Sequence, residues 1–448
     1  MVAPELLVER LNRGVSKRNA RWTFLREHAF GDALAMRRFR LGNGLTLLTL
    51  VDRSAPTVSY HTWFRVGSRH ERPGKTGLAH LFEHLMFNAT RTRPLGQFDR
   101  LLEGAGAEAN AATWTDWTYY YENAPRGALP LLVELEADRM SNLVLRAPQV
   151  VSEKEVVANE RKLRVEDDIE GKALELLYAT AFRRHPYGWP TIGWMKDIRG
   201  FTVRDCRQFY RTHYAPANAT VIVAGDFDEG RALGLVQEHY GGLPKVGAVV
   251  PVAQPKEPPQ RAERITQLRA PTPSEKILLG YQAPAFCHPD TSALVVVNEL
   301  LFGGRSSRMH RALCVDEELA FAVRGSIAPF VDPGLFEMWI FVHEGKRRQA
   351  ALERLEGEIE QLASAGPMQS ELDKAINQLE LSFLHSMETA GGKAEQIGFY
   401  ETVAGDGSAM FDRLDAYREV TPDDVERVAT KYLRPSRRTR VEVVRGHG

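Results

Sequence analysis

The chain has 448 residues, 58 basic and 58 acidic side chains, no formal net charge and 43% hydrophobic residues. That length exceeds what one hydrophobic core serves, so about two to four domains are expected, and the balanced charge gives no reason to expect a nucleic-acid or anionic-membrane partner. No run of 18 or more apolar residues occurs, which argues against a membrane-spanning helix.

Met1 to Phe30 mixes Glu, Arg and Lys with scattered apolar residues and lacks the continuous apolar core of a secretion signal. A cytoplasmic location is therefore expected, or a periplasmic one if a signal has been removed. The three cysteines, Cys206, Cys287 and Cys314, are odd in number and widely spaced, and read as reduced core residues. Strands are predicted at Phe39–Val51 and Thr57–Val66.

The run Gly77 to Asn88 then carries Leu78, Leu81, Phe82, Leu85, Met86 and Phe87 around His80, Glu83 and His84, the pattern of a buried helix with one polar stripe. Positions i and i+4 of a helix lie one above the other, so His80 and His84 can reach one metal ion. Glu83 flanks the same face and suits the general base of metal-assisted hydrolysis. This order, H-x-x-E-H, is the inverted form of the more familiar zinc motif. Titratable groups on a buried helix cost free energy unless they are paired or bind metal.

A segment rich in β-branched and aromatic residues follows, Thr113 to Tyr121, and predicts a strand. Beside a zinc site, an exposed edge strand of this kind can take up a peptide backbone as an added strand.

A catalytic zinc needs three protein ligands and one open position. The third ligand is sought in Val150–Asp168, a predicted helix punctuated by Glu153, Glu155, Glu160 and Glu166. Glu153 and Glu160 are seven residues apart and share a face. One could bind the metal while the other orients a ligand; periodicity does not choose between them, while Glu155 and Glu166 read as solvated helix charges.

These residues resemble the pitrilysin-like, or inverzincin, zinc metallopeptidases, and most closely the branch of mitochondrial processing peptidase and its bacterial relatives. The resemblance implies His80, His84 and Glu160 as ligands of one zinc ion per chain, since Glu160 lies 160 − 84 = 76 residues beyond His84, at the family's downstream ligand position. It implies Glu83 as the catalytic base and Glu153 as the accompanying acidic residue that orients a ligand. Asn110 and Ala111, within Gly106–Ala111, match the strand that lines the family's cleft and positions substrate.

Along the rest of the chain come a helix at Val203–Tyr214 and a closing strand at Ala219–Ala224. Residues Gly241 to Arg264, dense in proline and valine, read as an extended connector. A second series follows: strand Lys276–Tyr281, helix Ser292–Leu301, strands Ala320–Phe330 and Leu335–His343, helices Arg347–Ala365, Gln369–Glu388 and Pro422–Tyr432, and strand Thr439–Val444. Phe201-Thr202-Val203-Arg204-Asp205 and Val420-Thr421-Pro422-Asp423-Asp424 precede the closing pieces alike. The expected fold is α+β: two homologous halves, each a mixed sheet flanked by helices, with a zinc-binding domain at 1–240, a linker at 241–264 and an inactive homologous domain at 265–448. In the resembling family such halves close like a clam shell around a peptide.

Only the first half carries the zinc residues; Ser292–Phe302 offers Asn298 and Glu299 but no histidine. Active members of the resembling family also contribute an arginine and a tyrosine, seven residues apart, that hold the substrate carbonyl. By an ungapped reading Val315 and Ala322 occupy those positions, and neither side chain donates a hydrogen bond. The resemblance therefore implies a zinc endopeptidase cleaving extended peptides in an enclosed chamber, as the metal-bearing member of a heterodimer whose paralogous partner supplies arginine and tyrosine. The alternative is a non-catalytic, core-like structural subunit of the same fold, against which the retained His80, Glu83, His84 and Glu160 argue.

Overall fold

The structure is a computed structural model that describes residues 3–31, 34–245 and 253–446. Its contacts group into two units, the first formed by Met1–Asn159, Thr191–Ala253 and Ser386–Phe411, the second by Glu160–Pro190, Gln254–His385 and Asp412–Gly448.

The first unit is built on a sheet of β1 (Trp22–Phe30), β2 (Leu34–Leu41), β3 (Thr46–Val51), β4 (Thr57–Phe64), β5 (Glu108–Thr113), β6 (Thr118–Pro125) and β7 (Ala219–Gly225). The spatial order is β1-β2-β3-β7-β4-β6-β5, which leaves β5 at an edge. β7 reads Ala-Thr-Val-Ile-Val-Ala-Gly and is buried throughout, as expected of a central strand covered on both faces. Thr62 bonds Glu136 of the helix Leu129–Asn142, while the adjacent Trp63 packs on Gly398 of the helix Ala390–Val403. Successive side chains of a strand point to opposite faces, so these two helices cover opposite sides of the sheet.

The second unit carries β8 (Arg264–Ala270), β9 (Lys276–Gln282), β10 (Ala320–Ile327), β11 (Leu335–Val342) and β12 (Arg438–Arg445), in the order β10-β11-β9-β12-β8. This repeats β5-β6-β4-β7-β3 of the first sheet. The pairing sense repeats too: β7 runs parallel to β3 and antiparallel to β4, and β12 parallel to β8 and antiparallel to β9. The two Thr-x-x-Asp segments form capping boxes of the same build, Thr202 with Asp205 and Thr421 with Asp424, each opening a helix that leads into the closing strand. Two homologous α+β halves are therefore present.

Several boundaries differ from the sequence reading. Phe39–Val51 is a hairpin, β2 and β3, folded at Gly42-Asn43-Gly44, where Gly44 takes φ 100°. Thr113–Tyr121 is likewise two strands: the Trp114 N–H donates to the Trp117 carbonyl and closes a turn held by the Arg69–Asp116 ion pair. The turn is polar enough to bend yet sits inside an aromatic run, which masked it. Two helices also depart from the division at 240 and 265. Ile169–Ala181 buries Ala173, Leu177 and Ala181 within the second unit, and Ala390–Val403 belongs to the first. Within the connector 241–264, residues 246–252 lie outside the described residues. Among the described residues no helix is long and apolar enough to cross a membrane.

Two buried histidines are expected to make the first unit acid-sensitive. Burial pushes His61, stacked on Tyr119 and tilted against Tyr121, down to about 3, and His213 down to about 4. Each is neutral when folded and takes up a proton when unfolded below its ordinary pKa near 6.5. Stability contributed by the neutral forms is thus present above that value and lost as pH falls. Around pH 5 the loss should be roughly 2.7 kcal/mol per pH unit for the pair, one extra proton bound per histidine in the unfolded state. Urea unfolding of wild type and His61→Phe at pH 7 and pH 5 checks this: the variant should show the shallower dependence.

Candidate metal and catalytic site

The motif helix spans Leu78–Leu85 and buries Leu78, Leu81, Phe82 and Leu85 in the first unit's core. Its start is fixed by a cluster of polar contacts. Gly77 adopts φ 94°, and a Cβ there would lie 2.5 Å from the Ile192 carbonyl oxygen, so only glycine fits. The Glu71 carboxylate accepts the N–H groups of Gly77 at 2.8 Å and Ala79 at 2.7 Å, satisfying donors that a helix start leaves unpaired. Thr76 donates its N–H and hydroxyl to Asp197 Oδ2. At the other end, the Tyr120 hydroxyl donates to the Phe82 carbonyl at 3.0 Å. Held in this way, the helix presents the His80 and His84 rings with centroids 5.0 Å apart, and places the half-buried Glu83 beside them.

Glu160 comes from the helix Ala147–Arg161. Val150, Val157 and Ala158 of that helix lie in the first unit's core, and Lys154 donates to the carbonyls of Arg199 and Phe201. Although the contact grouping begins the second unit at Glu160, this residue stands one position before the helix end, so the preceding turns fix its direction. The helix then widens into a π turn at Lys162–Glu166, a distortion often found beside functional residues.

The structure brings His80, His84 and Glu160 together: one ligand atom from each lies within 4.8 Å of the others. Two imidazoles and a carboxylate, with a fourth position open, are the donor set of a catalytic zinc centre, so the residues present fit that ion. Glu153 stands beside this group. Its Oε2 lies 3.7 Å from His84 Nδ1, and its Oε1 accepts from Asn88 at 3.0 Å. Arg164 approaches Glu160 Oε1 at 2.8 Å but is 72% exposed, so solvent screens that pair. Glu155 is exposed, and Glu166 lies 3.6 Å from Arg161.

Asn110 and Ala111 lie on the edge strand β5, against which the motif helix packs. Ala111 opposes Tyr120 and Asn110 opposes Tyr121 in register. Since Tyr120 reaches the motif helix, Ala111 faces that helix and Asn110 the other side of the sheet. In the second unit, the helix Thr291–Phe302 takes the motif helix's place in the strand order and carries Asn298 and Glu299. No arginine or tyrosine occurs between residues 313 and 323; Val315 is 56% exposed, and Ala322 of β10 pairs with Phe341 of β11.

Sequence reasoning missed Glu71, Asn88, Tyr120 and Arg139. Arg139 is 1% exposed and meets Glu122 at 3.2 Å and also Glu136; its guanidinium carbon lies 4.3 Å from the centre of the Tyr120 ring. The only local signal was the capacity of an acidic residue to cap a nearby helix, which applies to Glu71.

Comparison with known proteins places these features in a family. Residues 47–193 match the family described as Insulinase (Peptidase family M16), and residues 200–379 match its Peptidase M16 inactive domain. The chain is 30% identical over 407 residues to the zinc protease PqqE of Helicobacter pylori, covering 90% of this chain and 91% of that protein. It is 25% identical over 415 residues to the mitochondrial-processing peptidase subunit beta of Lentinula edodes, covering 88% and 86%. A crystal structure of a protease from Helicobacter pylori matches with a TM-score of 0.86 at 29% identity, over 91% of this chain and 99% of that one.

Proposed function

Because the chain belongs to the M16 family of peptidases, we propose that it is a zinc-dependent endopeptidase for extended peptides and the metal-bearing subunit of a heterodimer. The observation that carries this reading is the gathering of His80, His84 and Glu160 within 4.8 Å, with Glu83 on the same helix.

In this reading His80, His84 and Glu160 hold the ion, and Glu153 beside Nδ1 of His84 keeps that ring oriented with its other nitrogen toward the site. Zinc, when bound, supplies Lewis acidity toward water and the scissile carbonyl. The Glu83 carboxylate accepts a proton from the attacking water and returns it to the leaving amine. The substrate backbone pairs with the free edge of β5, which leaves alternate side chains to face either side of the sheet. Burial of the histidine helix on its apolar face limits side-chain freedom before substrate arrives, which favours a fixed geometry.

Val315 and Ala322 offer no donor to a carbonyl oxyanion, so in this reading a partner of the same fold supplies arginine and tyrosine. One missing donor typically costs about 10²–10³ in rate. Peptide hydrolysis by the purified chain alone should therefore be slower than by its mixture with the paralogue by at least about that factor. Equal rates would remove the heterodimer from the account while leaving the zinc site untouched. A non-catalytic, core-like subunit would show no hydrolysis in either preparation.

A further inference from the structure

Residues 12–23 precede the segment that matches the peptidase family, which begins at residue 47, and nothing in the peptide chemistry uses them. With the turn Arg40–Gly44 and Lys245 they line a cavity of about 640 Å³ in the first unit, within the range of about 300–1,000 Å³ typical of small-molecule sites. Four lining residues, Arg18, Arg21, Arg40 and Lys245, are cations, and none is a carboxylate. In a chain with 58 charges of each sign, this is a local excess of positive charge, the kind of surface that attracts anions. Elsewhere on the same strand arginine is paired: Arg37 meets Glu27 and Glu229, and Arg38 meets Glu401. Arg18, Arg40 and Lys245 have no ion-pair partner among the described residues.

Hydrogen bonds and one close backbone approach hold the chain around Arg18, Arg21 and Arg40. The Asn12 amide bonds both the N–H and the carbonyl of Trp22, and the Trp22 indole donates to the Leu233 carbonyl at 3.2 Å. A Cβ on Gly42 would lie 1.9 Å from the Arg18 carbonyl oxygen, so glycine is what lets the turn close on residues 18–20. The Asn43 N–H donates to the Asn19 carbonyl at 3.1 Å, and Arg21 Nε is aimed by its bond to the Val15 carbonyl. A preformed frame reduces the ordering cost of binding. The one aromatic residue of the lining, Trp22, is 2% exposed, so selection there rests on charge and hydrogen bonding and not on stacking.

The geometry points to a binding site for a small oligophosphate, in which adjacent phosphate groups accept from the Arg18 and Arg40 forks and from Lys245. Guanidinium forks match phosphate oxygens in pairs, and several linked charges are needed to offset four cations where one carboxylate brings a single charge.

The test is calorimetric titration of the full chain with sodium pyrophosphate. One-to-one binding that weakens with added salt is expected, and the R18Q/R40Q variant should bind at least about tenfold more weakly, a loss of about 1.4 kcal/mol. An R13Q variant, altered outside the cavity, should bind as wild type, and circular dichroism checks that R18Q/R40Q is folded. Equal affinities for tripolyphosphate and ATP would support recognition of the phosphate chain alone. No binding at millimolar pyrophosphate, undiminished binding by folded R18Q/R40Q, or tighter binding of citrate or a hexaglutamate peptide would overturn the assignment.

Discussion

Glu83→Gln should lower peptide hydrolysis by roughly 10²–10⁴-fold, the usual worth of a positioned general base, while leaving the bound zinc in place. Glutamine keeps the length and hydrogen-bonding shape of the side chain but cannot take a proton from water. The metal should stay because His80, His84 and Glu160 are the three donors whose atoms gather, and Glu83 is not among them. Helix Leu78–Leu85 is fixed from outside the motif, by Glu71 and Asp197 at its start and Tyr120 near its end, so the substitution has no route to unfold it. Steady-state hydrolysis of a fluorogenic peptide, read beside metal content, separates the two effects. Loss of zinc together with activity would move Glu83 from base to ligand.

The largest effect on stability is expected at Arg139, whose side chain is 1% exposed. Its guanidinium meets Glu122 and Glu136, and all three side chains are at most 2% exposed. Removing the cation, as in Arg139→Met, leaves two buried carboxylates facing each other, and breaking a buried pair in this way costs about 3–5 kcal/mol. Burial, and then repulsion from Glu136, already push the Glu122 carboxyl well above its usual range. Glu122→Gln should therefore cost much less, less than about 1.5 kcal/mol. Urea unfolding of the two variants at neutral pH checks the order. The Arg139 variant should also bind zinc more weakly, since the ring beneath the guanidinium is Tyr120, whose hydroxyl holds the Phe82 carbonyl between the two histidines. Equal costs for the two substitutions would show that Glu122 is ionised in the fold.

The parts of this molecule that follow from short-range patterns were legible in the sequence. The motif helix announces itself through apolar spacing around histidines one helical turn apart, and the Thr202/Asp205 and Thr421/Asp424 boxes mark two equivalent helix starts. Hairpins were harder, because Asn43-Gly44 and Asp116 turn the chain inside runs that otherwise read as continuous strand. The division into units was not legible at its edges: the apolar face of Ile169–Ala181 says that the helix will be buried but not on which sheet. The choice between Glu153 and Glu160 was open to periodicity, since both lie on one helical face; tertiary packing sets one against His84 and the other with both imidazoles. Nothing in Glu136-Ala137-Asp138-Arg139 itself marks Glu136 and Arg139 as buried, because their burial depends on strands β4 and β6 being brought over them.

Metal content after exhaustive dialysis, measured by mass spectrometry on wild type, Glu160→Gln and Glu153→Gln, probes the three-residue ligand set itself. One zinc per wild-type chain is expected, none retained by Glu160→Gln, and retention with about 10–100-fold weaker affinity by Glu153→Gln, the usual cost of losing a residue that orients a ligand. A wild-type chain that retains no zinc, or a Glu160→Gln chain that keeps its full complement, would rule out His80, His84 and Glu160 as the ligands.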